Sequence, residues 1–381
     1  MVLEGASKPG AKILISGGGR CNVTNTVVTE ADFWGGKSTI VRRILRAFSA
    51  DQAAQFFREL GVPLHAEADG KLFPDSNRAR DVLDRLLGEL DECGAALCTD
   101  HRVHAVTRDA GVFAITTSHD TLRAHAVVLA CGGRSVPKTG SDGAGYAIAE
   151  RLGHTIVPTT PALAPLLLGD AGWPRMLSGV SHQAELSIRV ANVHTIRLTG
   201  SLLWTHFGIS GPVAMNASRH WARATLDGKA VAITVSFCPG QSFDDVDARL
   251  ARFAHDRPKA AVLTAVSSFL PAAVSAAILQ RVELDPEAPL AHLSRNDRRR
   301  VTHALTDWPL TVTDTRGYNF AEVTAGGVSL AEIDPSSMES RTCPGLYLVG
   351  EILDVDGRIG GFNFQWSWST AAVAARSLAL R

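Results

Sequence analysis

The chain lacks most of the signatures that would assign a chemistry at sight. Its six cysteines (Cys21, Cys93, Cys98, Cys131, Cys238 and Cys343) contain no Cys-x-x-Cys pair. Neither a zinc knuckle nor a dithiol redox centre is therefore indicated, and a reducing cytoplasm is the default compartment. There is no His-Glu-x-x-His, no Walker lysine loop and no Gly-x-Ser-x-Gly elbow, so zincin, P-loop and serine-hydrolase chemistry have no foothold. No apolar run approaches the roughly 18 consecutive residues of a membrane span, no signal-peptide pattern opens the chain, and no repeat or low-complexity tract is visible. Charge is balanced at 38 basic and 38 acidic residues. The absence of a broad basic face argues against nucleic acid as the main partner, and Arg298-Arg299-Arg300 reads as a solvated helix face.

What is present is a globular α/β composition: 381 residues, 45% hydrophobic, with 34 glycines. That length fits two domains, or one domain carrying a sizeable insertion. The organising stretch is Gly345 to Trp368. Leu346 to Val349 has the make-up of a buried parallel strand, and Gly350-Glu351 follows at its carboxyl end, where open α/β sheets bind ligands. A loop containing Asp354, Gly357, Gly360, Gly361 and Asn363 comes next, then a helix predicted from Gln365 to Leu380. The free N–H groups and positive dipole end of that helix face the same crevice. The plainer alternative is a solvated acidic turn before a surface helix.

Near the other end, Lys12 to Asn25 contains Gly17-Gly18-Gly19-Arg20-Cys21-Asn22. Three successive glycines allow close backbone approach to a ligand. The tract fails Gly-x-Gly-x-x-Gly because Asn22 stands where the third glycine belongs. Ser49 with Gln52 forms a capping box opening a helix whose apolar face is Ala53, Phe56, Phe57 and Leu60, stopped by Gly61. A second helix follows Ser76, with Ala79, Val82, Leu83, Leu86 and Leu90 on one side; Lys71 before it reads as a surface lysine. A meander is predicted from His101 to Thr117, turning at Asp109-Ala110-Gly111. A buried strand, Ala126 to Ala130, ends in Cys131-Gly132-Gly133. Pro158, Pro161 and Pro165 mark a change of character, after which alternating segments suggest an antiparallel β unit and Pro271 to Gln280 a helix. His206, at a strand end beside aromatics, reads as a structural residue, with a general-acid role as its alternative. Ala321 to Val328 is a strand with a glycine turn.

Taken together, Ile15 to Asn25, Gly132 to His154, Leu203 to Pro212, Ala321 to Val328 and Glu351 to Trp366 resemble one family: the bacterial flavoproteins that include aminoacetone-oxidase-type and bile-acid-reductase-like proteins. The resemblance implies an α/β fold with a two-dinucleotide-binding, Rossmann-like FAD domain in residues 1–157 and 318–381, interrupted by a mixed β/α substrate domain in 158–317. It places Gly350, Glu351, Asp354 and Gly361 against the FAD pyrophosphate and ribityl chain, with Asn363 and Gln365 near the flavin ring. Gly17, Gly18, Gly19, Arg20, Cys21 and Asn22 would run beside the isoalloxazine, Gly132 and Gly133 would close the FAD domain, and Glu4 would bind the adenosine ribose. Arg20, with glycine neighbours and little to pack against, is the candidate catalytic residue as a cation near the ring. Cys21 reads as a packing residue.

A flavin supplies the redox chemistry, so no metal or triad is needed. The implied cofactor is FAD rather than FMN, with NAD(P)H a candidate donor, a small molecule as substrate, and no membrane partner. Three readings stay open: an FAD-dependent oxidoreductase passing a hydride to an enone-like acceptor or oxygen, a flavin-binding protein without turnover, and an RNA-modifying flavoprotein. If Glu4 is the ribose ligand, only Met1, Val2 and Leu3 precede it. The first β-α unit with its fingerprint would then be missing, through a late start or a true truncation. Substrate, nicotinamide preference and oligomeric state are not set by these residues.

Overall fold

The structure is a computed structural model and describes residues 1–169, 172–191 and 193–380. The chain divides into two compact units, Met1–Thr160 with Glu322–Arg381, and Pro161–Ala321. The sequence placed these boundaries at 157/158 and 317/318.

In the first unit, two short parallel pairs carry the α/β character. Val127–Leu129 pairs with Leu346–Leu348, and Val2–Leu3 pairs with Leu97–Cys98. Leu346, Tyr347 and Leu348 are fully buried, as expected for a strand without alternation. The meander forms from Val103–Asp109, Val112–Thr117 and Thr121–Ala124. Its first turn needs positive φ at both central residues, Ala110 (46°) and Gly111 (84°), which is the hairpin geometry that matches strand twist.

The helices start where local chemistry dictates. Ser49 and Gln52 make both halves of a capping box, and Ala50–Glu59 buries Ala53, Ala54 and Phe57. Phe56 sits at the edge of that stripe and is 37% exposed, so the apolar face is narrower than the sequence suggested. Ala79–Glu92 buries Ala79, Val82 and Leu83. The terminal helix spans Phe362–Ala379, a turn earlier than predicted, because Gly361 at φ 93° serves as its N-cap. Its buried stripe, Phe362, Gln365, Trp366, Ser369, Thr370, Val373 and Ala374, follows helical periodicity. The polar members are paired within the fold: the Trp366 indole N–H donates to the Gly350 carbonyl (3.1 Å), and the Gly350 N–H donates to Thr370 Oγ1 (2.9 Å). This fastens the start of the helix beneath the end of the strand.

The second unit is a seven-stranded sheet in the order Trp308–Leu310, Val231–Ser236, Ser181–Val190, His194–Thr205, Gly208–Ser210, Leu166–Leu168, Val312–Thr315. Each neighbouring pair in it is antiparallel. Leu186, Ile188, Trp204 and Val235 from the sheet share one core with Val213, Leu250, Ile278 and Val301 from its helices. Arg298 is not simply solvated, since it grips Asp247 through two hydrogen bonds (2.9 and 3.2 Å) between helices, and Arg299 lies over the Phe243 ring. His206 is exposed in the turn between two strands, edge-on to Phe207. Among the described residues, no helix is long and apolar enough to cross a membrane.

Candidate functional site

Two glycine-rich segments from opposite ends of the first unit are brought together. Ala11–Ile15 is helical, and the chain then turns through Gly17, Gly18 and Gly19 at φ 55°, 69° and 84°. Ser16 ties the turn down, its carbonyl accepting from the N–H groups of Gly19 and Cys21 (both 3.0 Å). A Cβ on Gly17 would press on Phe73 and the Asn22 backbone, whereas a Cβ on Gly18 would meet nothing. The triplet therefore has an inward, packed side and an open side.

Asn22 and Thr24 carry the turn to the C-terminal loop. With its amide oriented to satisfy its neighbours, Asn22 accepts from the Gly361 N–H (3.0 Å) and donates to the carbonyls of Thr24 (2.8 Å) and Leu72 (3.2 Å). A side chain on Gly361 would run into the Thr24 backbone. Asn25 donates to the Gly360 carbonyl (3.1 Å), and Thr24 Oγ1 donates to Gln365 Oε1 (2.6 Å).

Several expected ligand side chains are committed elsewhere. Gln365 is fully buried, and its amide nitrogen donates to the Phe48 carbonyl and to Ser369 Oγ (both 3.0 Å). Its amide is held on both sides by the fold. Asn363 spends its amide on Gly357, accepting from its N–H (2.8 Å) and donating to its carbonyl (2.9 Å), so it shapes the loop. Cys21 is fully buried against Phe57, Val62 and Val82, and burial pushes its thiol up to about 11. Its side chain fills core. Arg20 has more to pack against than its glycine neighbours implied. Its guanidinium lies 4.0 Å from the Phe73 ring centroid and pairs with Glu67 (2.6 Å), holding that carboxyl below its ordinary range. The cation expected to stand unpaired is thus half of an ion pair.

Glu351 is the hub of the site. It follows the strand Leu346–Leu348, and the Gly132-Gly133 pair follows the parallel partner strand Val127–Leu129. Glu351 Oε2 accepts from Lys12 Nζ (2.6 Å), and Oε1 accepts from Ser135 Oγ (2.8 Å) and the Thr324 N–H (2.9 Å). Lys12 also donates to Ser135 Oγ (2.7 Å). A Cβ on Gly132 would lie 2.6 Å from Ser141 Oγ, and one on Gly133 would strike Thr324 and approach Glu351 Oε1 at 3.0 Å. These glycines are required by the packing around the carboxylate. Asp354 lies under Gly35-Gly36, its carbonyl accepting from the Gly36 N–H (2.8 Å). Glu4, at the end of Val2–Leu3, turns its carboxylate onto the Ala6 N–H (2.8 Å), while its backbone pairs with Cys98.

A family model described as "HI0933-like protein Rossmann domain" matches residues 1–377. The chain belongs to the HI0933-like family. This is the flavoprotein family its end motifs resemble, and its members are FAD-binding Rossmann oxidoreductases. The chain is 33% identical over 380 residues to the 3-dehydro-bile acid delta(4,6)-reductase of Clostridium scindens, covering 100% of this chain and 92% of that protein. It is 31% identical to the ribosomal RNA dihydrouridine synthase of Escherichia coli (99% and 91% covered) and 30% identical to that of Haemophilus influenzae (99% and 92%).

The residues present fit the cofactor of an HI0933-like protein. Gly18 opens a backbone surface with nothing above it, the terminal helix begins at Gly361 without a side-chain cap, and the Lys12 side chain is partly exposed. A dinucleotide needs such features: close backbone approach, unpaired N–H groups and a cation for its phosphates. Lys12, Ser135 and Thr324 were not singled out as site residues from sequence. The available signal was the basic residue heading the glycine tract and the Ser just past Gly132-Gly133, but the contact between them spans 123 residues.

Proposed function

We propose that the chain is an FAD-dependent oxidoreductase that reduces a conjugated carbon–carbon double bond in a small organic acceptor, with NADH or NADPH as donor. The supporting observation is the junction of the Gly17 to Asn22 turn with the Gly357 to Gly361 loop, since Asn22, Thr24 and Asn25 build one surface from both. FAD, when bound, supplies the hydride chemistry. Around it, the protein's own residues position and exclude. Gly18 and Gly19 would present backbone to the flavin, Glu351 and Asp354 would orient hydroxyls of the chain, Glu4 would take the adenosine ribose, and the start of the terminal helix would face phosphate. Gln365 and Asn363 hold this surface rigid from behind.

The relatives' names support the acceptor class. A delta(4,6)-reductase and a dihydrouridine synthase both saturate a carbon–carbon double bond conjugated to a carbonyl. Two of these names also carry a second reading, in which the acceptor is a uracil ring in RNA. Anaerobic reduction of the FAD-loaded protein by NADH and NADPH, then reoxidation by an enone panel and by RNA, tests the proposal. Rapid reoxidation by a small enone supports it. Reoxidation by RNA alone moves the reading to the second class, and no reduction by either nicotinamide defeats the donor assignment.

A further inference from the structure

Lys12 is unexplained by the family motifs, yet it makes two short contacts at the centre of the site. Its ammonium bonds Glu351 Oε2 at 2.6 Å and Ser135 Oγ at 2.7 Å, and Ser135 in turn bonds Glu351 Oε1 at 2.8 Å. The three groups close a ring, to which the Thr324 N–H adds a fourth bond. Glu351 is only 17% exposed, so its charge is poorly screened by water. A carboxylate in that state repels any phosphate brought near it, and the cost falls slowly with distance in a low-dielectric setting. A dinucleotide site built around Glu351 therefore needs a local counter-charge.

We propose that Lys12 is a positioning residue that makes Glu351 compatible with a diphosphate-bearing ligand. The ion pair cancels the carboxylate's charge. Oε1 is filled by Ser135 and Thr324, while Oε2, which accepts from Lys12, keeps acceptor capacity for a ligand hydroxyl. The Lys12 side chain is 29% exposed, and its ammonium, with two N–H groups spent on Glu351 and Ser135, has a third to offer the phosphate side. The inference rests on the FAD reading of this site but assigns a role that reading does not contain: discrimination between flavins by phosphate charge.

The test is equilibrium binding of FAD and of riboflavin, which lacks phosphate, to the full chain and to Lys12→Met, Glu351→Gln and the double variant. Lys12→Met should weaken FAD on the order of 30-fold and riboflavin by less than about 3-fold, since only FAD meets the uncovered charge. The double variant should recover FAD affinity to within about 5-fold of the parent, because it restores neutrality. A purely structural lysine would weaken both flavins alike, and that result overturns the proposal, as does an FAD affinity in Lys12→Met within about 2-fold of the parent. Should Lys12→Met fail to fold, Lys12→Arg and the double variant decide it: both keep the cluster neutral and should bind FAD within about 5-fold, and a loss beyond about 30-fold in either refutes it. If the parent chain itself binds no FAD while remaining folded, the FAD reading fails and the inference with it. An unchanged Lys12→Met beside an FAD-binding parent sinks the inference alone.

Discussion

Gly361 and Gly18 provide a paired perturbation that separates folding from binding. Both have positive φ, 93° and 69°, so alanine at either carries a left-handed backbone penalty of about 1–2 kcal/mol. They differ in what a new methyl would meet. At 361 it would collide with the carbonyl, carbonyl carbon and Cα of Thr24, none of which is a flexible side-chain end, while at 18 it meets nothing. Forced overlap of this kind adds about 1–3 kcal/mol, so Gly361→Ala should cost about 2–5 kcal/mol in total. Gly18→Ala should cost about 0–1.5 kcal/mol, because loss of freedom in the unfolded chain offsets part of the backbone penalty. Denaturant titration of the ligand-free proteins, with slopes compared to confirm a common unfolding reaction, measures both. Flavin titration then supplies the second axis: Gly18→Ala should retain the fold and lose flavin affinity, since its methyl would occupy the open face of the triplet. Equal destabilisation of the two variants would refute the steric argument, and full flavin affinity in Gly18→Ala would remove the triplet from the binding surface.

Other substitutions test the reassigned residues. Gln365→Ala should destabilise by about 2–4 kcal/mol in denaturant titration, since it opens a cavity in the core and takes away the acceptor of the buried Thr24 hydroxyl, while the Phe48 carbonyl keeps its bond from Ser369 Oγ; an unchanged midpoint with an altered flavin spectrum would return Gln365 to the cofactor. Cys21 should resist alkylation at pH 8 in the native protein, because a thiol at about 11 is ionised there to only about one part in a thousand, and mass-mapped labelling of Cys21 before unfolding would contradict this. Arg20→Ala should leave the fold intact and flatten the acid limb of the stability curve. Glu67 is depressed below 4.5 chiefly by its hydrogen bond to Arg20, so the stability it contributes is present above 4.5 and lost as pH falls through its folded value. The gap between parent and variant should be full at neutral pH and shrink below 4.5, and a gap that widens on acidification would show the sign to be wrong.

Elements written into short stretches were legible in the sequence, and residue roles that depend on distant partners were not. The Ser49 capping box, the Asp109 to Gly111 turn and the apolar strand before Gly350 each depend on neighbours within a few positions, and each forms. The family motifs likewise located the two glycine segments that meet. The partners of Gln365 and Asn363 were not legible because a polar amide after a glycine loop has the same local appearance whether it faces a ligand or the core. What decides is Thr24, 341 residues away, and a loop that folds back on Asn363. Arg20 was misread for a related reason: glycine neighbours leave a side chain unpacked only if no other segment arrives, and Phe73 and Glu67 do arrive. Phe56 shows the limit of periodicity, which gives the direction of an apolar stripe but not its width.

The central claim is that the two glycine segments and the Glu351 cluster form a site for FAD in an oxidoreductase. Its most direct measurement is anaerobic titration of the purified 381-residue chain with FAD and FMN, followed by addition of NADH or NADPH to the complex. Stoichiometric FAD binding in preference to FMN is expected, with bleaching of the bound flavin by one of the nicotinamides. A folded chain that takes up neither flavin, or that binds FMN in preference to FAD, would contradict it.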